Sequence, residues 1–354
     1  MTNQTINFKV KIDFEIDEKE WDESLVKSPF STAFQMSNYY KPENVALGSK
    51  QIFIRVLDDS ENIVGQFSGI LNFKASGYIS NPISKSIINR FHLGSNLVWK
   101  HGPIIHDLKN HEKISFLIFE SINKLCKKYN IERIKGTTPP LDSNFSKEIL
   151  DKTNFSVTTW KDYVISLPKE PKLHFDSLNK NIRYDIRKSE KNDLRFEIAK
   201  SLDDIKEFGK LKYRDRENPD KIIKNGLNLS SATWEILYKN GIRVAFLAKH
   251  KGKLVGGINA VLFNKILSVT TVINSPNKSL QAGSFLTWNS IKWAIENGCN
   301  FVDLSGANPS PISEKEKQID FYKSKWGGQE YPMFIISKVF SKHRTKFGSL
   351  LRKL

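Results

Sequence analysis

Arg183 and Arg187 stand at i and i+4, with Lys180 three residues before them and Lys191 four after. If NKNIRYDIRKSEK (179–191) is helical, these four cations share one face while Leu178, Ile182 and Ile186 share another. A cationic stripe opposite an apolar one presents guanidinium groups to phosphates. The same pattern also suits a solvated face, with Asp185 and Glu190 as partial neutralisers. The tail KVFSKHRTKFGSLLRKL repeats the theme, interleaving Lys338, Lys342, Arg344, Lys346, Arg352 and Lys353 with Val339, Phe340, Phe347, Leu350 and Leu351. Such a segment binds an RNA backbone, lies on an anionic membrane or docks as a helix. Metal and disulfide chemistry have little to build on. Cys126 and Cys299 form no CxxC, and the seven histidines show no HExxH or other tight ligand spacing. No metal site is therefore expected.

The chain that must position these groups has 354 residues, 39% hydrophobic and 26% charged, which suits a globular protein of two domains. Lys and Arg number 55 against 38 Asp and Glu, a net charge of +17. That excess favours a polyanionic partner: nucleic acid, nucleotide phosphates or an acidic membrane face. The start, MTNQTINFKVKIDFEIDEKEW, is polar and acidic, unlike a signal peptide, and no apolar run approaches a membrane span. The expected location is cytoplasmic, with peripheral contact to the inner membrane face as a further option.

The sequence also repeats itself. SFLIFESINKLCKKY from Ser115 lies over SFLTWNSIKWAIENG from Ser284, an offset of 169 residues. IERIKG, ending at Gly136, lies over FVDLSG, ending at Gly306, at an offset of 170. Phe155–Trp160 and YVIS (163–166) lie over Trp326–Tyr331 and FIIS (334–337), at 171. Upstream, IRVLDDSENIVGQFSGILNF resembles VAFLAKHKGKLVGGINAVLF. Three blocks drifting by two residues mean an old duplication, and so two similar domains rather than a solenoid. Each copy reads as hairpin, amphipathic helix, short strand, polar Pro-bearing loop and last strand. The expected class is α+β, a mixed and mostly antiparallel sheet flanked by helices in each copy. SLPKEPKLHFDS (166–177) is the linker candidate.

GSFLTWNSIKWAIENGCNFVDLSGANP, IDFYKSKWGGQ and NKNIRYDIRKSEK resemble segments of the Fem-type (FemAB-like) aminoacyltransferases. Weaker likeness lies in STAFQMSNYYK (31–41) and VWKHGPIIHD (98–107). The resemblance implies two tandem acetyltransferase-like (GNAT) domains, here 1–168 and 169–354, with the tail from about 338 packing back on the first. No coiled-coil arm is visible in the sequence, so the chain looks like the armless type. The implied reaction moves an aminoacyl group from aminoacyl-tRNA to an amine of a nucleotide- or lipid-linked cell-wall (peptidoglycan) precursor. Such a donor is already an activated ester, so positioning and charge stabilisation suffice and no cofactor is required.

By the same resemblance, Tyr322-Lys323 falls on the family's Phe-Lys pair, where a cation stabilises an oxyanion or a leaving oxygen. Arg183, Tyr184 and Arg187 are implied to bind substrate phosphates. Asp303 falls in a "DxGG"-like segment, where it either orients an amine or holds a loop. Trp99, Gly102 and Pro103 match an "RGP" region, and His106 and Asp107 compete for the acid that follows it. Of the two, His106 has the better unperturbed pKa for accepting a proton. Lys41 lies near a family phosphate-binding lysine, with a shorter spacing from Gln35. Trp326, over Phe155 in the repeat, reads as core. Acyl-CoA-dependent GNAT enzymes cradle pyrophosphate in a Gly-rich turn before a helix. LKNHEKIS has no glycine and SLQAGS only Gly283, which disfavours a CoA donor. Two rival readings remain: an acyl-CoA-dependent N-acyltransferase on an amino sugar or peptide, and a non-catalytic basic scaffold for RNA or membrane.

Overall fold

The computed structural model describes residues 7–73, 82–214, 222, 224 and 226–351. Arg352 and Lys353 of the basic tail lie outside them. The chain opens with β1 (Lys9–Asp13), α1 (Glu18–Val26), α2 (Lys41–Leu47), β2 (Lys50–Leu57) and β3 (Ile63–Asn72). There follow α3 (Pro82–Arg90), β4 (Asn96–Val98), β5 (Ile104–Ile105), α4 (His111–Lys128), β6 (Arg133–Thr137), α5 (Lys147–Asp151) and β7 (Ser156–Ser166). Next come α6 (Pro171–Ser177), α7 (Lys180–Glu190), β8 (Leu194–Ile198), α8 (Leu202–Tyr213) and α9 (Leu227–Thr233). The last stretch holds β9 (Arg243–His250), β10 (Lys253–Phe263), β11 (Ile266–Ile273), α10 (Ala282–Glu296), β12 (Phe301–Ala307), α11 (Glu314–Ser324), β13 (Gln329–Val339) and α12 (Lys342–Leu351).

Two compact units result: Met1–Thr159 with Pro332–Leu354, and Trp160–Tyr331. In the first, the strand order is β1-β2-β3-β4-β6-β13, with β5 on β3. In the second it is β8-β9-β10-β11-β12-β7. Neighbours are antiparallel in both, except β4/β6 and β11/β12, which are parallel and occupy the same place in each order. Each unit is thus a mixed, mostly antiparallel sheet flanked by helices.

The repeat blocks fall on matching elements. The paired hairpins are β2–β3 and β9–β10, the paired helices are α4 and α10, and the paired short strands are β6 and β12. α4 buries a stripe that includes Ile114, Ile118, Ile122 and Leu125, whereas α10 is buried on more than one side, Phe285, Trp288, Ile291 and Ile295 being joined by Leu286, Thr287 and Ser290. Burying a side chain of this size contributes about 1.5–3 kcal/mol.

The last strands depart from the sequence reading. β7 closes the repeat's first copy in sequence, yet it pairs with β12, Phe301 opposite Ser166 and Val302 opposite Ile165. β13 pairs with β6, from Ile335 opposite Thr137 to Val339 opposite Arg133. This exchange corrects the expected division at 168/169: the first unit ends at Thr159 and takes back Pro332–Leu354. The tail packs within that unit, Leu351 against Ile88 and Leu93. The linker candidate is also structured. Its second half is α6, with Pro171 in the first turn and His174 buried. The loop expected after FVDLSG contains α11, opened by a capping box in which Ser313 and Glu316 bond each other's backbone.

Candidate active site

β11 and β12 are paired over only three residues, Ile266–Phe301, Leu267–Val302 and Ser268–Asp303. Beyond that point they part, and a cavity of about 650 Å³ lies there, lined among others by Val269, Thr271, Leu304, Ser305, Tyr322 and Lys323. The parting is built into β12. Its pairing with β7 shifts register between Asp303 and Gly306, and Ser305 adopts φ +65°. Asp303 holds this bulge, its carboxylate accepting the Ser305 N–H at 2.6 Å. The Ser305 hydroxyl donates to the Val269 carbonyl across the gap.

α11 brings Tyr322 and Lys323 to the bulge. The Lys323 ammonium donates to the Ser305 and Gly306 carbonyls, both at 2.8 Å. Burial pushes the lysine pKa down, while the negative charges of Asp162, Asp303 and Asp320 oppose that fall. Asp162 and Asp303 are fully buried, with carboxylate oxygens within 4.8 Å of each other. Burial and the neighbouring Asp303 both raise the Asp162 carboxyl well above the usual range. Two buried carboxyl groups therefore act on a half-buried ammonium that lines the cavity.

Asp162 escaped the sequence reading. Its signal was an acid in the apolar strand KDYVIS, where the repeat's other copy carries Met333.

The Tyr322 hydroxyl lies 2.5 Å from Thr287 Oγ1 and donates to the Gly283 carbonyl at 3.1 Å. Burial pushes the phenol to about 12, so it stays neutral near pH 7. Its ring also lines a second cavity of about 270 Å³, with Lys278, Lys325 and the first turn of α10. Gln281 precedes that helix at φ +53° without capping it through its side chain. Lys325 lies 4.9 Å from the Tyr322 ring centre, and burial lowers its pKa. Trp326 is fully buried in the core of this unit, as is its counterpart Phe155 in the other. Gly327, at φ +81°, makes the turn into β13 that a side chain would strain.

The arginine helix forms as expected. Asn179 caps α7 by accepting the Ile182 N–H, and Ile182 and Ile186 are buried. Arg183 donates to the Asp176 carbonyl at 3.1 Å. The Arg187 guanidinium lies over the Phe175 ring at 5.5 Å, and Tyr184 is exposed. None of the three lines either cavity.

The other sequence-derived candidates lie in the first unit. Trp99 is buried, and its ring packs so closely on Gly136 that a Cβ there would sit 2.0 Å away. Its indole N–H donates to the Gly102 carbonyl at 3.0 Å. The ring is thus a wedge beside the parallel β4/β6 pair, and one edge lines a cavity of about 350 Å³ with Lys135 and Tyr40. His106 Nε2 lies 2.8 Å from Gln66 Oε1. Gln66 Nε2 donates to the Trp21 carbonyl, so its oxygen accepts and His106 carries its proton on Nε2. Burial pushes the imidazole to about 4, which makes it a much weaker base than its type suggests. Asp107 accepts the Lys109 and Asn110 N–H groups as a cap. Lys41 is paired with Glu18 at 2.8 Å on the surface.

No family model matches the sequence, and neither does any curated protein. Solved structures do match. FemX aligns with 97% of this chain and 100% of its own at a TM-score of 0.68 and 11% identity. The fold is tandem GNAT-like. A tandem GNAT protein from the clavulanic acid biosynthesis pathway aligns with 94% of this chain and 98% of its own, at 0.58 and 9%. L-PGS from Bacillus licheniformis aligns with 97% and 98%, at 0.52 and 9%. At such identities, the tandem GNAT-like architecture is what these proteins share with this chain.

Proposed function

We propose that this protein is an acyltransferase that moves an aminoacyl group onto an amine, in the cavity where β11 and β12 part. The observation that carries this reading is Lys323. Two of its three protons are held by backbone carbonyls of the β12 bulge, which leaves the third for a group in the cavity. In the reaction, a neutral amine attacks the donor's ester carbonyl and a C–N bond forms. The oxyanion then collapses, the C–O bond to the donor breaks, and the amine's proton ends on the leaving oxygen. Lys323 stabilises the oxyanion, and Asp162 and Asp303 counter the burial that would strip the lysine of its charge. Tyr322, anchored to Thr287 and Gly283, separates the acyl cavity from the smaller basic one, which receives a donor phosphate.

Similarity to FemX and the Fem-like sequence segments support aminoacyl-tRNA as donor and a nucleotide- or lipid-linked envelope amine as acceptor. Arg183, Tyr184 and Arg187 offer a phosphate-binding surface for either substrate. The direct test is transfer of radiolabel from aminoacyl-tRNA to amine-bearing envelope precursors. Product formation that Lys323→Ala abolishes is expected, and no transfer to any such amine would refute the reading. The basic cavity at the start of α10, together with the likeness to a tandem GNAT protein, favours one second reading: N-acylation from acyl-CoA. Calorimetry with acetyl-CoA separates the two, since micromolar binding would favour that donor.

A further inference from the structure

The first unit carries a basic, partly apolar face that the proposed chemistry does not use. α3 and α12 pack through Ile88, Leu93 and Leu351. Their outer sides leave large apolar groups in water: Ile83 is 71% exposed, Phe91 57%, Phe347 50% and Leu350 59%. Between them lies an apolar cavity of about 750 Å³, with Phe91, Tyr129 and Phe347 in its wall and Arg90 and Arg344 at its edge. On α12, Lys342, Lys346 and Leu350 follow at four-residue spacing, and all three are exposed. Acidic residues are missing from both segments. The sequence has no Asp or Glu between Glu61 and Asp107, and none after Glu330. The acid beside α12, Glu132, is buried and faces Arg344 at 3.6 Å, so it pins the helix rather than offsetting its outer charge.

We propose that this α3/α12 face docks on an anionic phospholipid surface. Exposed aromatic and aliphatic side chains enter the interface while Arg90, Lys342 and Lys346 meet the headgroup charge. The acid-free setting argues for lipid over a protein groove: a uniformly negative plane matches a patch of a single sign, and the exposed apolar groups need a hydrocarbon boundary that RNA does not offer. This inference does not depend on the donor or acceptor of the transfer reaction.

The test is co-sedimentation of the full chain with vesicles of phosphatidylglycerol and phosphatidylcholine in equal parts, and with phosphatidylcholine alone. Binding to the mixed vesicles only, falling as salt rises, is expected. Phe347→Ser combined with Leu350→Ser should weaken it about tenfold or more. Lys346→Glu should weaken it at least about fivefold. Lys253→Glu, the same charge change on an exposed lysine of the second unit, should leave it intact, with unchanged melting points showing that all variants fold. Equal binding to neutral vesicles would overturn the proposal. So would an equal loss in Lys253→Glu, or patch-dependent binding of duplex RNA without any binding to vesicles.

Discussion

At the residue scale, Lys323 stands out as a lysine whose hydrogen-bond partners are backbone carbonyls. Carbonyls can hold an ammonium without neutralising it, and in the proposed reaction Lys323 keeps charge for a developing oxyanion while the buried Asp162 and Asp303 oppose the effect of burial on it. Lys323→Ala should lower kcat by about 10²–10³-fold, the usual cost of one lost oxyanion contact. Lys323→Arg should rescue little, because a larger, planar guanidinium does not reproduce the compact tetrahedral donors that the ammonium aims at the two carbonyls and the cavity. Steady-state kinetics of both variants checks this. His106 makes a separate prediction about stability. Its folded pKa of about 4 lies below the ordinary 6.5, so the unfolded chain takes up the proton first as pH falls. The stability this residue contributes is complete above about pH 6.5 and is lost towards pH 4, at most about 3 kcal/mol in all. Urea unfolding at pH 7 and pH 5 should show a smaller pH effect in His106→Gln. Residue types were legible in the sequence, but their surroundings were not. Nothing local to His106 announces that Gln66 fixes its tautomer, or that Asp107 is spent as a cap.

At the element scale, α11 and the β12 bulge do the positioning. Ser313→Ala removes the capping box that starts α11 and should cost about 1 kcal/mol of stability. The same variant should lower kcat more than it raises KM, since Lys323 rides on the far end of that helix. Gly136→Ala would press a methyl group into the Trp99 ring and should lower the melting temperature by several degrees. Hairpins and amphipathic helices were legible because their periodicities of 2 and 3.6 were clean, as in β2–β3 and α4. α11 was hidden: EKEKQIDFYKS buries no residue, so it lacks the apolar stripe that marks a helix in sequence. The bulge was hidden too, because Ser305 at φ +65° is set by Asp303 and Val269 rather than by a glycine.

At the scale of the whole molecule, two similar mixed-sheet units were legible from the internal repeat, whose blocks fall on like elements in both units, while their GNAT-like fold was implied by the resemblance to Fem-type segments. The boundary was not, because strand exchange is a matter of pairing and leaves no mark on composition: β7 and β13 each close a sheet other than the one their copy in sequence suggests. Deleting 332–354 should therefore bare β6 and expose Phe119 and Leu97 in the first core. Hydrogen exchange should then speed up in β2 and β3 while β9 and β10 stay protected. The most direct test of the central claim is a single-turnover transfer assay, with labelled aminoacyl-tRNA, an amine-bearing nucleotide-linked precursor, and wild-type protein beside Lys323→Ala. An amide product made by the wild type, and at least about 100-fold more slowly by the variant, is the outcome this account predicts. Equal rates in the two proteins, or no amide from any aminoacyl donor, would contradict it.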